Sequence, residues 1–476
     1  MVRTPPFLSL FLMLTVVLSL IQCGAPQPMD DPVAGMADTQ LAAGQRLRAA
    51  DQAAAEEYDN PQRIAMLQTL VTKFGHPPEI RIRAIDHLVA YDAEDARQFL
   101  SRDLDTIRSS LVIEHAIDIA LERQWSDWTP ALVRRYAKLD PMVGDDERVE
   151  RRALLELNPG QSIEQIVMDV FVDPTFSTKI YLRAMAWQLL YRLTGDDATR
   201  RAMLMSAEAR DPLIADLQIA ARDLNVLAEN VQSITWLQML RTEPYARFWN
   251  QASRVVSQLT TEQRQDLEAR HLPVLVYLGE NRDRMLTLSR RELLRDLGQF
   301  VGGGRHHMRG SNIDGPMDKH PQVLNHWADE LVWADLATMH VMTRMMSDSS
   351  ARRQWFEQAD ADHRDKSTEY GGLIALDEGG SVFPKLYKPM MRRHDKVYYA
   401  PKELVIDAYT SLAHYHFHVA SQKNRNHAGP GYGDLKRIAR LQQFNGLVLT
   451  FIDADRLNVD FYCKPSVVVD LGTIHR

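Results

Sequence analysis

The hydrophobic and polar positions follow two different patterns along this chain. Between residues 45 and 285, apolar residues recur at i, i+3, i+4 and i+7, as on one face of a helix. The segments 79–89 and 111–121 show this pattern clearly, and the Gly- and Pro-containing stretch 75–78 is one of the breaks. After residue 370, short β-rich apolar runs alternate with helical segments. The chain is therefore predicted to be multidomain, with a helical region followed by an α/β domain.

The helical region consists of segments that recur as pairs at intervals of roughly 30 residues, which is the signature of a helical-repeat protein. This pattern resembles HEAT repeats and predicts an N-terminal all-α solenoid over residues 46–285. An irregular helical bundle is the alternative. A solenoid would offer a concave surface to a protein or peptide partner. The arginines on these helices are interpreted as solvated side chains or as pairs between repeats.

Two further regions follow the predicted solenoid. Residues 286–355 are predicted to be a helical connector that contains a Gly-rich, basic loop at 301–316 and one long helix over 323–346. Residues 356–476 are predicted to form the α/β domain, because the runs 371–376 and 381–387 flank a hairpin signal. Further apolar strands are expected at 445–451 and 466–471, and Cys463 is expected to be buried in a strand.

The candidate chemistry lies in the stretch that contains His414, His416 and His418. Alternate residues of a strand point to the same face, so these imidazoles are expected to project together. Asp434 follows a Pro- and Gly-rich turn and is expected near the start of a helix. Two imidazoles and one carboxylate match the ligand count of a catalytic zinc site. The alternative is a strand with partly buried histidines that only form hydrogen bonds.

The order of these residues resembles the JAMM (MPN-domain, JAB-like) zinc metallopeptidases. The shared pattern is a glutamate before an apolar, glycine-containing segment, then His-x-His, a loop and Pro-x-x-x-Asp, over residues 355–472. The resemblance implies a deaminase-like α/β fold, Glu369 as general base or acid, and zinc held by His416, His418 and Asp434. The implied activity is hydrolysis of a peptide or isopeptide bond.

The chain departs from the family pattern at two positions. The serine that the family usually has three residues before the aspartate is Gly431 here, which offers a backbone N–H but no hydroxyl. The proline usual after the second histidine is Val419. Two alternative functions therefore stay open: a catalytically inactive scaffold or binding protein of the cell envelope, and a zinc hydrolase of another amide, such as cell-wall material.

The composition and the first residues of the chain predict where the protein is located in the cell. The length of 476 residues fits two or three domains, and the net charge of −7 gives no reason to expect nucleic acid as a partner. Arg3 and the apolar run 7–21 predict a signal peptide over 1–23, followed by a tether over 24–45. The residues up to Cys23 resemble a lipobox, so Cys23 is a candidate lipid anchor to a membrane. Ordinary cleavage and an uncleaved anchor are the alternatives.

Overall fold

The computed structural model describes residues 29–55, 61–140, 142–309, 321–393, 398–441, 444–464 and 466–476. The predicted signal peptide with Cys23, and residues 310–316 of the predicted loop, lie outside the described residues. The chain divides into two compact units, one that ends at Val170 and one that runs from Phe171 to Arg476. None of the helices in the described ranges is both long enough and apolar enough to cross a membrane.

The first unit is helical in its described part, and the unit boundary falls inside its last helix. Its helices are α1 Pro32–Ala37, α2 Ala43–Ala54, α3 Pro61–Thr72, α4 Pro78–Tyr91, α5 Ala93–Asp103, α6 Ser110–Glu122, α7 Thr129–Tyr136, α8 Val149–Leu157 and α9 Ile163–Val172.

Helices of the first unit pack against the next helix or the next but one: α3 packs on α4, α4 on α5 and α6, and α6 on α8. Ion pairs join side chains that are roughly one predicted repeat apart. Arg97 lies 2.9 Å from Asp127, and Arg152 lies 2.7 Å from Asp118. These two arginines thus pair with side chains of other elements, whereas Arg81, Arg183 and Arg200 are buried, so the prediction of solvated arginines is wrong for those three. The HEAT-like character of the unit remains a prediction.

The predicted tether contains folded structure in its described part. Asp31 caps α1 by accepting a hydrogen bond from the backbone N–H of Ala34, and Pro32 occupies the first turn. Val33 and Met36 are fully buried. The apolar residues of this short segment have a packing role that its Pro- and Ala-rich composition did not indicate.

The second unit contains helices before and between the strands of a sheet. Its helices are α10 Ile180–Thr194, α11 Asp197–Ser206, α12 Pro212–Asp223, α13 Val231–Leu240, α14 Ala246–Gln258, α15 Thr261–Arg264, α16 Leu272–Glu280, α17 Arg290–Gly302, α18 Trp333–Ser347, α19 Ser349–Arg364, α20 Lys402–Asp407 and α21 Tyr432–Leu441. Residues 171–285 of the predicted solenoid thus share a compact unit with the α/β region, whereas the sequence placed boundaries at 285 and 355.

The described strands of the second unit form one mixed sheet in the order β2-β1-β3-β4-β5-β6. The pair β3 and β4 is parallel, and the other neighbouring pairs are antiparallel. The predicted hairpin is confirmed as β1 and β2, and Cys463 is buried at the end of β5. The strands are β1 Gly371–Leu376, β2 Val382–Tyr387, β3 Ala413–His418, β4 Gly446–Asp453, β5 Arg456–Cys463 and β6 Val467–His475.

Both faces of the central strands are covered. On one face, Tyr415 of β3 donates from its hydroxyl to Gln358 of α19 at 2.5 Å. On the other face, Leu435 and Ile438 of α21 pack with Val448 and Tyr462 in a buried cluster. Because β3 and β4 are parallel, the chain must cross over between them, and α21 is the helix of that crossover.

The prediction of one long helix over 323–346 is wrong. Residues 324–326 form a single 3₁₀ turn, and α18 begins only at Trp333. The side chain of Asp335 accepts a hydrogen bond from the backbone N–H of Val332 at 3.1 Å and so fixes the helix start. Asp335 is fully buried in an ion pair with Arg270. This distant partner fixes the start of a helix whose apolar pattern alone looked continuous.

Candidate metal centre

Strand β3 presents its three histidines on one face, as the alternation predicted. Its opposite face carries Tyr415 and Phe417, which are both fully buried. A shift of one residue in register would exchange the two faces and expose these rings, so their burial fixes the direction in which the histidines point. β3 lies inside the sheet, between β1 and β4. The strand therefore provides a rigid base for the site.

Asp434 approaches the histidines from the first turn of α21. Its Oδ2 atom lies 3.4 Å from His416 Nε2 and 3.9 Å from His418 Nε2. One ligand atom from each of the three residues lies within 4.8 Å of the others. The crossover explains this proximity, because it returns the chain from the end of β3 to the start of a helix on the same face of the sheet.

The tautomer of His418 suits metal binding. His418 Nδ1 donates a hydrogen bond to the carbonyl oxygen of His427 at 2.8 Å. Since neutral imidazole carries one N–H, its Nε2 atom keeps a lone pair, and this atom is the one that faces Asp434. Metal-binding histidines commonly donate their other nitrogen to a carbonyl group in this way.

The surroundings of His416 also favour metal binding. Both of its ring nitrogens are buried and form no hydrogen bond within the described structure, although Nε2 lies within ion-pair distance of Asp434. A buried polar atom without a hydrogen bond is destabilising by about 1–3 kcal/mol, and a bound ion is one of the partners that can remove this cost. Two imidazole nitrogens and one carboxylate oxygen are ligands that zinc accepts. The residues therefore fit a zinc ion.

Electrostatics favour the carboxylate form of Asp434 and the neutral form of His418. Burial alone would raise the pKa of Asp434, but His416, His418 and the Gly431 N–H hold that pKa well below its usual range. Burial lowers the pKa of His418 to about 4, with a further lowering by His416. Burial also opposes charge on His416, but Asp434 outweighs it and raises the His416 pKa. A bound cation would take the place of that proton.

Gly431 has a different contact from the one expected for an oxyanion donor. Its backbone N–H donates to Asp434 Oδ2 at 2.8 Å. The same oxygen faces both candidate histidine ligands. In this structure, Gly431 thus orients the carboxylate, and its N–H is not directed at a substrate.

Glu369 stands just before β1 and lines a cavity together with His416 and Asp434. Its charge contributes to raising the pKa of His416. Gly371, which follows two residues later, pairs directly with His416 across the strands. A Cβ atom on Gly372 would lie 2.2 Å from the Lys385 carbonyl oxygen, so this close approach needs glycine. The glycine pair lets β1 pack closely beside the histidine strand.

The cavity beside these residues has a volume of about 480 Å³. Its lining is largely apolar and aromatic, and it also includes histidine and carboxylate groups. His414 lines the cavity, but it does not belong to the three-residue ligand cluster. Helix α13, from the predicted solenoid region, contributes Gln232 and Thr235 to the wall.

A set of residues distant in sequence supports the loop between β3 and α21. Gln322 Nε2 donates to the carbonyl of Ala428 at 3.3 Å, and Gln322 Oε1 accepts from the backbone N–H of Arg309. The Arg309 guanidinium donates to the carbonyl of Gly429 at 3.3 Å. This loop carries the His427 carbonyl that orients His418. No sequence pattern pointed to Gln322, whose relation to the site arises only from folding, whereas Arg309 belongs to the Gly-rich, basic loop that the sequence marks.

The Gly-rich segment is ordered in its described part. The backbone N–H of His307 donates to Asp470 Oδ2 at 2.9 Å, and His306 Nδ1 lies 3.2 Å from the same atom. Asp470 belongs to β6, and Thr473 of the same strand donates to the Arg305 carbonyl, so residues 305–307 lie beside that strand. The segment therefore reaches the loop at 427–429 from a fixed position.

Comparison of the chain with protein-family models, with curated proteins and with solved structures gave no match. The chemistry of the site therefore rests on its own side chains.

Proposed function

We propose that this chain is an exported, zinc-dependent hydrolase of peptide or isopeptide bonds, of JAMM type. The observation that carries the proposal is the convergence of His416 Nε2, His418 Nε2 and Asp434 Oδ2 on one point. Glu369 lines the same cavity, which adds the acid–base group that hydrolysis needs. The order of these four residues along the chain also agrees with the JAMM resemblance.

In this proposal the two histidines and Asp434 hold the metal. When bound, zinc lowers the pKa of a coordinated water to about 7 and polarises a substrate carbonyl. The His427 carbonyl keeps His418 in the tautomer that presents Nε2, and the Gly431 N–H fixes the carboxylate of Asp434.

Glu369 moves the proton. Its carboxylate accepts a proton from the attacking water and passes it to the leaving amine, so one residue acts first as base and then as acid. Its position before β1 places this group on a rigid strand end.

The expected partner is a protein or peptide substrate. Helix α13 supplies part of the cavity wall, which supports a role for the helical region in holding that substrate. Attachment to a membrane through a lipid at Cys23 is part of the proposal. It predicts that Cys23→Ala releases the protein from membranes, and retention of the variant in the membrane fraction would contradict it.

One observation favours a second function, a binding protein without turnover. The Gly431 N–H, which could have served a tetrahedral intermediate, is engaged by Asp434. The two functions are separated by metal analysis together with a peptidase assay. Zinc binding with hydrolysis that depends on Glu369 supports the enzyme, whereas zinc binding without hydrolysis of any peptide in a random-sequence library supports the binding protein.

A further inference from the structure

The cavity at the candidate metal centre is lined by both apolar and charged side chains. Leu373, Leu404 and Ile438 are among the apolar ones, together with the rings of Tyr398 and Tyr462. These side chains belong to buried clusters and are thereby fixed in place. The cavity volume of about 480 Å³ falls in the range of about 300–1,000 Å³ for small-ligand sites. It is large enough for one bulky apolar side chain.

Arg437 is the cation that the described part of the chain contributes to this cavity. It lies three residues after Asp434 on α21, so the two side chains share a face of the helix, and both line the cavity. Arg437 is exposed and forms no hydrogen bond or salt bridge with any described residue. The cavity lining that Arg437 shares with His414 and His416 places it at the site.

The balance of charge points to an anionic group on the ligand. Among the described residues, the charged side chains of the lining are Glu369, Asp434 and Arg437, two carboxylates against one guanidinium. A doubly charged metal ion would turn this small negative excess into a positive one. The guanidinium would then be the group available for a carboxylate, which it binds with two parallel hydrogen bonds.

We propose that the cavity binds the C-terminal residue of a peptide substrate, with its apolar side chain among Leu373, Leu404 and Ile438 and its α-carboxylate on Arg437. This inference rests on the proposed function and adds a substrate class to it. The scissile bond is then the last peptide bond of the chain. Water adds to its carbonyl, the C–N bond breaks, and the proton taken from water goes to the amine of the released residue.

Binding of small probes tests the inference without turnover. The probes are 3-phenylpropanoate, which has an aromatic group and a carboxylate, its neutral primary amide, and acetate. Calorimetry is performed on the zinc-loaded and on the chelator-treated protein. The carboxylate is expected to bind about ten-fold more tightly than the amide, because only the carboxylate forms a charge-assisted hydrogen bond with Arg437. Acetate is expected to bind at least about ten-fold more weakly than 3-phenylpropanoate.

Arg437→Ala should lower the affinity for 3-phenylpropanoate by about ten-fold and change the affinity for the amide by no more than about two-fold. Arg437→Lys should keep part of the preference for the carboxylate over the amide. Lys436→Ala is the matched control, since Lys436 is exposed on the same helix and lies outside the cavity lining. Equal binding of carboxylate and amide, no binding of either, or the same loss in both variants would overturn the inference. Failure of the zinc site would appear separately, as absence of metal from the wild-type protein.

Discussion

His418 Nδ1 lies 2.8 Å from the carbonyl oxygen of His427, nine residues further along the chain. This hydrogen bond fixes the imidazole as the tautomer whose free nitrogen faces Asp434. The carbonyl belongs to a loop without regular structure apart from a short 3₁₀ turn, so its position depends on the residues that hold the loop. The affinity of the centre for metal is therefore expected to depend on residues that do not touch the metal.

Gln322→Leu tests this dependence. The substitution removes the hydrogen bonds to the Ala428 carbonyl and from the Arg309 N–H. Loss of such a supporting contact typically lowers metal affinity by about 10–100-fold, and a loss in that range is expected here. Zinc affinity is measured by competition with a chromophoric chelator. Gln299→Leu is the control, because Gln299 is an exposed residue of α17. Equal zinc affinity in both variants would refute the role of the loop.

Glu369→Gln tests the assignment of the proton carrier. The amide retains the size of the side chain but cannot accept the proton, so kcat is expected to fall by about 10²–10⁴-fold. The zinc content should stay unchanged, because Glu369 is outside the ligand cluster. Glu403→Gln, at an exposed position of α20, should leave kcat unaltered. Full activity of Glu369→Gln would show that another group carries the proton.

Gly372→Ala tests the close packing of β1. The new methyl group would lie 2.2 Å from the Lys385 carbonyl oxygen and 2.6 Å from the Tyr415 hydroxyl. Overpacking of this kind destabilises by about 1–3 kcal/mol, measured by denaturant unfolding. Gly298→Ala is the opposite case, since nothing lies within 4 Å of the added methyl group in α17. It should stabilise by about 0.4–1 kcal/mol, and a similar effect of both substitutions would contradict the packing.

His115 is expected to make the stability of the first unit depend on pH. His115 Nε2 lies 2.7 Å from Asp86 Oδ1, and this hydrogen bond raises the His115 pKa above its ordinary value of 6.5. A raised pKa in the folded state stabilises below pH 6.5, and this stabilisation is lost as the pH rises through the raised value. The difference in unfolding free energy between wild type and Asp86→Asn should therefore be largest near pH ~5.5 and shrink toward pH ~8.

The control for this titration is Asp127→Asn, which removes a partner of Arg97. Arginine does not titrate in this range, so the effect of that substitution should be flat with pH. If the difference in unfolding free energy between wild type and Asp86→Asn is also independent of pH, Asp86 does not raise the pKa of His115. Direct measurement of the His115 pKa by NMR should give a lower value in Asp86→Asn than in wild type.

The local part of the site could be predicted from sequence. Alternation in β3, the hairpin of β1 and β2, and the position of Asp434 at a helix start all follow from rules that act over a few residues. The grouping of His416 and His418 with Asp434 came from the JAMM resemblance, and the structure places these three side chains near one another. Arg437 had a signal as well, since a residue three positions after Asp434 on a helix shares its face.

The remaining features depend on contacts between distant segments. Gln322 and Arg309 support the loop near His418 across more than a hundred residues, and no spacing rule connects them. The start of α18 depends on the buried Asp335, whose partner Arg270 lies in another element. Likewise, helical periodicity identifies an apolar face but not what covers it. The sharing of one unit by residues 171–285 and the sheet therefore could not be predicted.

The most direct test is the metal content of the purified protein beside His416→Ala/His418→Ala. The control is His326→Ala/His475→Ala, which removes two exposed histidines, and circular dichroism verifies that all three proteins are folded. The proposed site predicts about one zinc per chain in wild type and in the control, and none in the His416/His418 variant. Wild-type protein that is folded and binds no zinc after incubation with the ion would contradict the metal centre and the hydrolase built on it.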